Sequence, residues 1–270
     1  MSWRKPKYGI FIFLSMKLGI IGCGAIGTDV AKAADEMEEI EEIYLYDIVE
    51  EKAKKLADEL KKAKFAKVED FLPVVDIVFE SASQEAVYEY AEKIIEAKKD
   101  LIIMSIGALF DDEFRERLVK KAKENKCKIY LPSGAVAGLD GIKAASIGGL
   151  DEVTLVTTKS PEAFGKKFER RTVLFDGNAR EAVKLFPKNI NVAACLSLAG
   201  IGFDKTRVKV VADPVIRYNS HKILAHGKFG RLRAEVENLP NPKNPSTSYL
   251  ASLSAIAVLK KIVSPLQIGI

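Results

Sequence analysis

With 270 residues, 48% of them apolar, the chain has room for two modest domains and a sizeable core. Its formal charge is +5, but Arg4, Lys5 and Lys7 supply much of the surplus, and no basic stripe with interleaved aromatics follows, which excludes a nucleic-acid surface. The cysteines Cys23, Cys127 and Cys195 lie far apart without a CxxC, which argues against a disulfide framework or a metal site and suits a reducing, cytoplasmic compartment.

Residues 1–15 join a basic start to the short apolar run Ile10–Leu14. That run is far short of the roughly 20 apolar residues a membrane span needs, and no small-residue cleavage site follows it. We read residues 1–15 as a non-core extension, with Met16 beginning the first strand. From there short apolar runs alternate with amphipathic stretches. Strands are expected at Lys17–Ile21, Ile43–Tyr46, Val75–Phe79, Leu101–Met104 and Lys128–Leu131. Helices are expected over Ala25–Met37, Glu50–Leu60, Gln84–Ala97 and Asp112–Asn125. Strands apolar throughout, alternating with helices, predict an α/β fold: a Rossmann-type parallel sheet covered on both faces.

The pattern changes near Ser133-Gly134. Half-buried strands are expected at Val153–Thr158, Val173–Phe175, Arg207–Ala212, Lys222–Ala225 and Arg231–Val236. Helices are expected over Ala179–Leu185, capped by Asn178 after a turn at Gly177, and over Val192–Leu198. This predicts a smaller α+β domain for substrate binding and dimerisation. The proline-rich stretch 239–245 reads as a loop, and a helix from Ser246 to about Ile262 would pack back on the first domain. The expected division is therefore 16–134 with 240–270, and 135–239.

Gly22-Cys23-Gly24-Ala25-Ile26-Gly27 follows the first strand and opens the first helix. Gly22 permits a tight turn, Gly24 lets backbone approach a pyrophosphate, and Gly27 lets the helix sit close to the sheet. The amides of Ala25, Ile26 and Gly27 would then face the phosphates. Asp47 ends the second strand 20 residues after Gly27, where a carboxylate can accept the adenosine ribose hydroxyls. It would repel the extra phosphate of NADP, and Ile48 brings no positive charge beside it, so NAD is favoured with NADP possible. An ordinary glycine turn with a solvated acid is the bland alternative. Ser81-Ala82, Ser105 with Gly107, and Ser133-Gly134-Ala135 fall at later strand ends, where such sheets bind ligands, although Ser and Gly are also common in any such loop.

The second part holds the only two histidines. His221 and His226 are an odd number of residues apart, so on one strand they face opposite ways and cannot share a metal. His221, at a strand start, can point into a cleft. Within Phe186–Ala194, Lys188 can pair with a substrate carboxylate, and Asn189 and Asn191 can donate amide hydrogens; a proline turn with asparagine caps would look the same.

These pieces resemble the archaeal and bacterial L-aspartate dehydrogenase family. The resemblance rests on Gly22–Gly27, Ala82–Val87, Ser105–Ala108, Ser133–Ala135 with Gly138–Asp140, Phe186–Ala194, His221, Gly227–Gly230 and Asn244–Ala251, and covers about residues 16 to 262. It implies oxidation of L-aspartate by NAD to iminosuccinate, which hydrolyses to oxaloacetate and ammonia, and a link to NAD biosynthesis. It also implies a homodimer, His221 as the catalytic residue, and cofactor contacts at Ala135 and Asn191. Aspartate carries two carboxylates, for which Lys188, Lys159 and, more weakly, Ser133 are candidates. Competing readings are a homoserine dehydrogenase-like or dihydrodipicolinate reductase-like enzyme and, in a different class, a non-catalytic NAD sensor.

Overall fold

The computed structural model describes residues 15–186 and 191–269; the N-terminal extension apart from Ser15, and the candidates Lys188 and Asn189, lie outside them. The first sheet contains β1 (Met16–Ile21), β2 (Ile40–Tyr46), β3 (Ala63–Phe65), β4 (Ile77–Glu80), β5 (Asp100–Ile103) and β6 (Ile129–Tyr130). They run parallel in the order β3-β2-β1-β4-β5-β6. Strand order reverses between β1 and β4, and a crevice for ligands opens at the carboxyl ends of strands flanking such a reversal.

Helices cover this sheet because each carries one apolar face. α1 (Ala25–Asp35) buries Gly27, Val30, Ala31 and Ala34. α2 (Glu50–Asp58) and the short α3 (Val68–Phe71) flank β3. α4 (Gln84–Glu96) is capped by Ser83, which accepts from Ala86 N at 3.2 Å. α5 (Asp112–Asn125) is capped by Asp111 and stops at Lys126, which is left-handed at φ 60°.

The second part begins with α6 (Leu139–Gly148) and β7 (Leu150–Lys159). Then come β8 (Thr172–Asn178), α7 (Ala179–Leu185), α8 (Asn191–Ala199), β9 (Arg207–Ala212), β10 (Asn219–Gly227) and β11 (Gly230–Asn238). The five strands form a mixed sheet, β11-β10-β7-β9-β8. Its apolar face, with Val153 and Leu155 of β7 and Ile223 of β10, packs on Ile142 of α6 and Ala193, Ala194 and Leu196 of α8. The same cluster continues into the first sheet through Ile103, Ala108 and Leu109, so one core spans both parts.

Last come β12 (Pro240–Asn241), β13 (Asn244–Ser248) and α9 (Tyr249–Val263). Ala251, Ala255 and Leu259 of α9 join the cluster formed by Val30, Ala31 and Ala34 of α1. The chain thus returns to the helix that covers the first sheet. Asn241 ties this return to α1, donating to Asp29 Oδ2 at 2.6 Å.

Several elements differ from expectation. β3, with three residues, and α3, with four, are too short to show an apolar period. α6 contains Gly141 and Gly148, which speak against a helix locally, but Gly141 lets the Leu232 side chain pack close, since a Cβ there would stand 2.7 Å from its Cδ1. Gly177 lies inside β8 rather than at a turn, while Asn178 does cap α7, accepting from Glu181 N at 2.8 Å. The stretch expected as a loop carries the β12–β13 ladder, which delays α9 to Tyr249. β4 starts later than expected and ends on a buried acid, Glu80.

Candidate active site

β1 turns sharply at Gly22, whose φ of +95° suits glycine alone. A Cβ there would lie 2.7 Å from Ala82 N, so the turn after β1 presses on the loop after β4. Ser81 Oγ reinforces that contact, donating to Gly22 O at 3.0 Å. A Cβ on Gly27 would meet Gly22 O at 1.9 Å, which is how closely α1 sits on the turn. Gly24 is the opposite case: a Cβ would meet nothing within 4 Å. Space therefore opens in front of α1, whose N-terminus has no side-chain cap and no acid in its first turn. Ala25, Ile26 and Gly27 present their amides there, so the cradle fits a dinucleotide pyrophosphate on charge and on room.

Asp47 follows β2 and is 9% exposed. Its Oδ2 accepts from Cys23 N at 2.8 Å and its Oδ1 from Val49 N at 2.9 Å. The carboxylate is thus built into the glycine turn, and each oxygen keeps a lone pair for a further donor. Ile48 is 90% exposed and brings no charge. Lys52 on α2 is close enough to Cys23 to act on its thiol electrostatically, a cation not visible in the spacing around Asp47. Burial dominates there and pushes the Cys23 thiol up to about 12, so it stays protonated and unreactive.

At the end of β4, Glu80 is 2% exposed. Its Oε1 accepts from Ala82 N at 2.8 Å, Ser83 N at 3.1 Å and Ser105 Oγ at 2.8 Å, and its Oε2 from Ser105 N at 3.1 Å. Burial pushes this carboxyl up to about 7, while the hydrogen bonds pull it down. Ser105 is therefore occupied with Glu80. Gly107 lies in the single turn Ile106–Phe110 and donates its N–H to Asn191 Oδ1 at 2.9 Å. That bond joins the first sheet's loops to α8. Ala135 is buried, and its carbonyl accepts from Asn238 Nδ2 at 3.1 Å. Ser133 is half-buried beside it, next to Gly134, whose N–H donates to Ser254 Oγ on α9 at 3.0 Å.

His221 lies near the start of β10 and is 5% exposed, whereas His226 on the same strand points to the opposite, exposed side. His221 faces Thr157 across the β7–β10 ladder, and its Nδ1 is hydrogen-bonded to Thr157 Oγ1 at 3.0 Å. Lys159 lies two residues along β7, hence on the same face. Burial, then the Lys159 charge, push His221 down to about 4, so the ring is neutral near pH 7. Burial also lowers the Lys159 ammonium. The structure thus gathers Gly22, Gly24, Gly27, Asp47, Ser81, Ala82 and Ser105 at the strand reversal, and His221, Thr157 and Lys159 on the second sheet. Thr157 and Glu80 were not expected. The signal for Glu80 is an acid closing the apolar run Ile77-Val78-Phe79; Thr157 has no local signal, because its role depends on a partner 64 residues away.

A parallel sheet in this order, a glycine turn opening onto a bare helix N-terminus, and a second sheet carrying a buried neutral histidine define a dinucleotide-binding oxidoreductase. The family described as "Homoserine dehydrogenase, NAD binding domain" matches residues 22–132, and "Aspartate dehydrogenase, C-terminal" matches residues 140–262. L-aspartate dehydrogenase of Methanosarcina acetivorans is 49% identical over 94% of this chain and 99% of its own length; that of Methanosarcina barkeri is 50% identical over the same shares. The crystal structure of aspartate dehydrogenase from Thermotoga maritima superposes with a TM-score of 0.79 at 32% identity, covering 94% of this chain and 99% of that one. The chain belongs to the L-aspartate dehydrogenase family.

Proposed function

We propose that the chain oxidises L-aspartate at Cα with NAD, giving iminosuccinate, reduced cofactor and a proton, after which water converts iminosuccinate to oxaloacetate and ammonia. The observation that carries this reading is His221: buried, neutral and held by Thr157 beside Lys159. When bound, the nicotinamide supplies the hydride acceptor. Gly24 and the amides of Ala25, Ile26 and Gly27 hold the pyrophosphate, and Asp47 holds the adenosine ribose. Ser81, Ala82, Ser105, Gly107, Ala135 and Asn191 shape the nicotinamide half. If Thr157 accepts from Nδ1–H, the Nε2 lone pair of His221 is left to take the substrate ammonium proton and, once that proton has passed to solvent, to draw a proton from the water that attacks the imine. Lys159, Lys188, Asn189 and Ser133 receive the two carboxylates.

The buried Asp47 carboxylate supports NAD over NADP as the preferred cofactor. The dinucleotide-binding part is residues 16–134 with 240–270, and the substrate part is 135–239. We further propose a homodimer working in the cytoplasm, in keeping with three unpaired cysteines, and a role in supplying iminosuccinate for NAD biosynthesis. No helix among the described residues is long and apolar enough to cross a membrane. The deciding assay follows reduced-cofactor absorbance while the protein meets NAD with L-aspartate or with homoserine, and runs the reverse with oxaloacetate, ammonia and reduced cofactor. Turnover of aspartate alone supports the reading; turnover of homoserine, or of neither, overturns it. Light scattering tests the dimer.

A further inference from the structure

The proposed chemistry leaves the buried Glu80 carboxyl unused. Glu80 ends β4, the strand beside β1 at the reversal of strand order. Packing does not require an acid there, because Ile77, Val78 and Phe79 already fill the strand's share of the core. A carboxyl buried to this degree destabilises the fold unless its oxygens are satisfied. They are satisfied by four neutral donors, three of them backbone amides that cannot turn away.

Those donors belong to two different loops. Ala82 and Ser83 follow β4; Ser105 follows β5. The first loop abuts the glycine turn through Gly22 and Ser81. The second runs on to Gly107, which holds Asn191 of the second part. One carboxyl therefore stands where the glycine turn, both neighbouring loops and the link to α8 converge.

We propose that Glu80 is a positioning residue for the dinucleotide: its carboxyl fastens the loops after β4 and β5 to each other, so that their backbones meet the nicotinamide half in a single shape. This rests on the NAD-binding reading above. The two oxygens are not equivalent. Oε1 takes three donors and Oε2 only Ser105 N. In Glu80→Gln the amide oxygen best serves at the Oε1 position, which turns the amide NH2 toward Ser105 N–H. Two donors then face each other, and the β5 loop is released while the β4 loop stays held.

The test is a fluorescence titration of the apo protein with NADH, together with KM values for NAD and for aspartate and a thermal melt without cofactor. For Glu80→Gln we expect the NADH dissociation constant and KM for NAD to rise roughly tenfold. KM for aspartate should stay within about twofold, because its carboxylate partners lie elsewhere. A folded Glu80→Gln with unchanged NADH affinity overturns the proposal, as does an equal rise in both KM values. If Glu80→Gln does not fold, Ser105→Ala decides: removing one donor should weaken NADH binding selectively, by about threefold, and unchanged affinity overturns the idea. Wild-type protein that fails to bind NADH would instead sink the cofactor reading itself.

Discussion

Thr157 Oγ1 and His221 Nδ1 stand 3.0 Å apart, directly opposed on neighbouring antiparallel strands and both almost fully buried. The pairing fixes the ring plane, and with the threonine as acceptor it places the imidazole lone pair on Nε2. Thr157→Val keeps the shape and removes the hydroxyl. The ring is then free to take the other tautomer, and Nδ1 loses its partner. We expect kcat with aspartate to fall about tenfold or more while NADH affinity stays unchanged, as read by steady-state kinetics and fluorescence titration. Unchanged kcat would show that the hydroxyl does not orient the base.

As the proposed base, the same histidine would also set the acid limit of the reaction. Burial and then Lys159 hold it down at about 4, against an ordinary value near 6.5. A neutral ring is therefore available across the whole range above about 4. The acid limb of kcat/KM should fall near pH 4 rather than 6.5, provided the fold persists there. Stability is linked in the same direction: the contribution is complete above 6.5 and is lost as pH drops through about 4, because the unfolded ring binds its proton first. Lys159→Met removes the second cause, so the limb should move upward, though not fully, since burial remains. A limb that stays put in this variant would separate Lys159 from His221.

Asp47 is the group that should discriminate between the two nicotinamide dinucleotides. It is held by Cys23 N and Val49 N, so it cannot swing away from an added phosphate. Asp47→Ser removes the repulsion and leaves Lys52 as a nearby cation. We expect KM for NADP to drop at least tenfold and KM for NAD to rise, compared by kinetics with each cofactor. An unchanged preference would place the discriminating contact elsewhere.

Local signals account for what the chain reveals without coordinates. Gly22 and Gly27 are legible because the turn leaves no room for a side chain, Gly24 because its spacing completes the motif and keeps the front of α1 open, and the apolar runs are legible because parallel strands are buried on both faces. Asn178 is a cap whose partner lies three residues away. By contrast, the Glu80 donors, the Thr157–His221 pair and the Asn191–Gly107 bond join residues 25 to 84 positions apart, except for Ala82 and Ser83. Such pairs exist only once the strand order is known. Helix α6 escapes notice for a related reason: its glycines weaken it locally, and the Leu232 side chain that packs against Gly141 comes from β11.

Arg180 on α7 joins the two parts mechanically. Its guanidinium pairs with Asp112 at the start of α5 at 2.9 Å and with Asp204 at 2.5 Å. It also lies over the rings of Phe110 and Phe203, which meet edge to face. The pairs are partly exposed and individually weak, but the stacked aromatics restrict the side chain. Arg180→Ala should lower stability by about 1 to 2 kcal/mol, visible as a drop of several degrees in Tm, with NADH affinity little changed. An unaltered Tm would show that the shared apolar core alone holds the parts together.

Glu80 makes a prediction about stability that is independent of catalysis. Its carboxyl is raised to about 7 from an ordinary value of 4.5, with burial as the largest cause. The folded chain therefore holds this proton more tightly than the unfolded chain does. The associated stabilisation is complete below 4.5 and is lost as pH rises through about 7. Between those limits the wild type should lose up to about 3 kcal/mol relative to a variant that cannot ionise. Glu80→Gln is that variant. Denaturant unfolding of both proteins at pH 5 and pH 8 measures the difference: Glu80→Gln should be the weaker protein at pH 5, where a neutral Glu80 fits its donors with the Ser105 hydroxyl turned to accept, and should recover relative to wild type at pH 8. A gap that does not change with pH would mean that Glu80 stays ionised throughout, its four donors outweighing the loss of water.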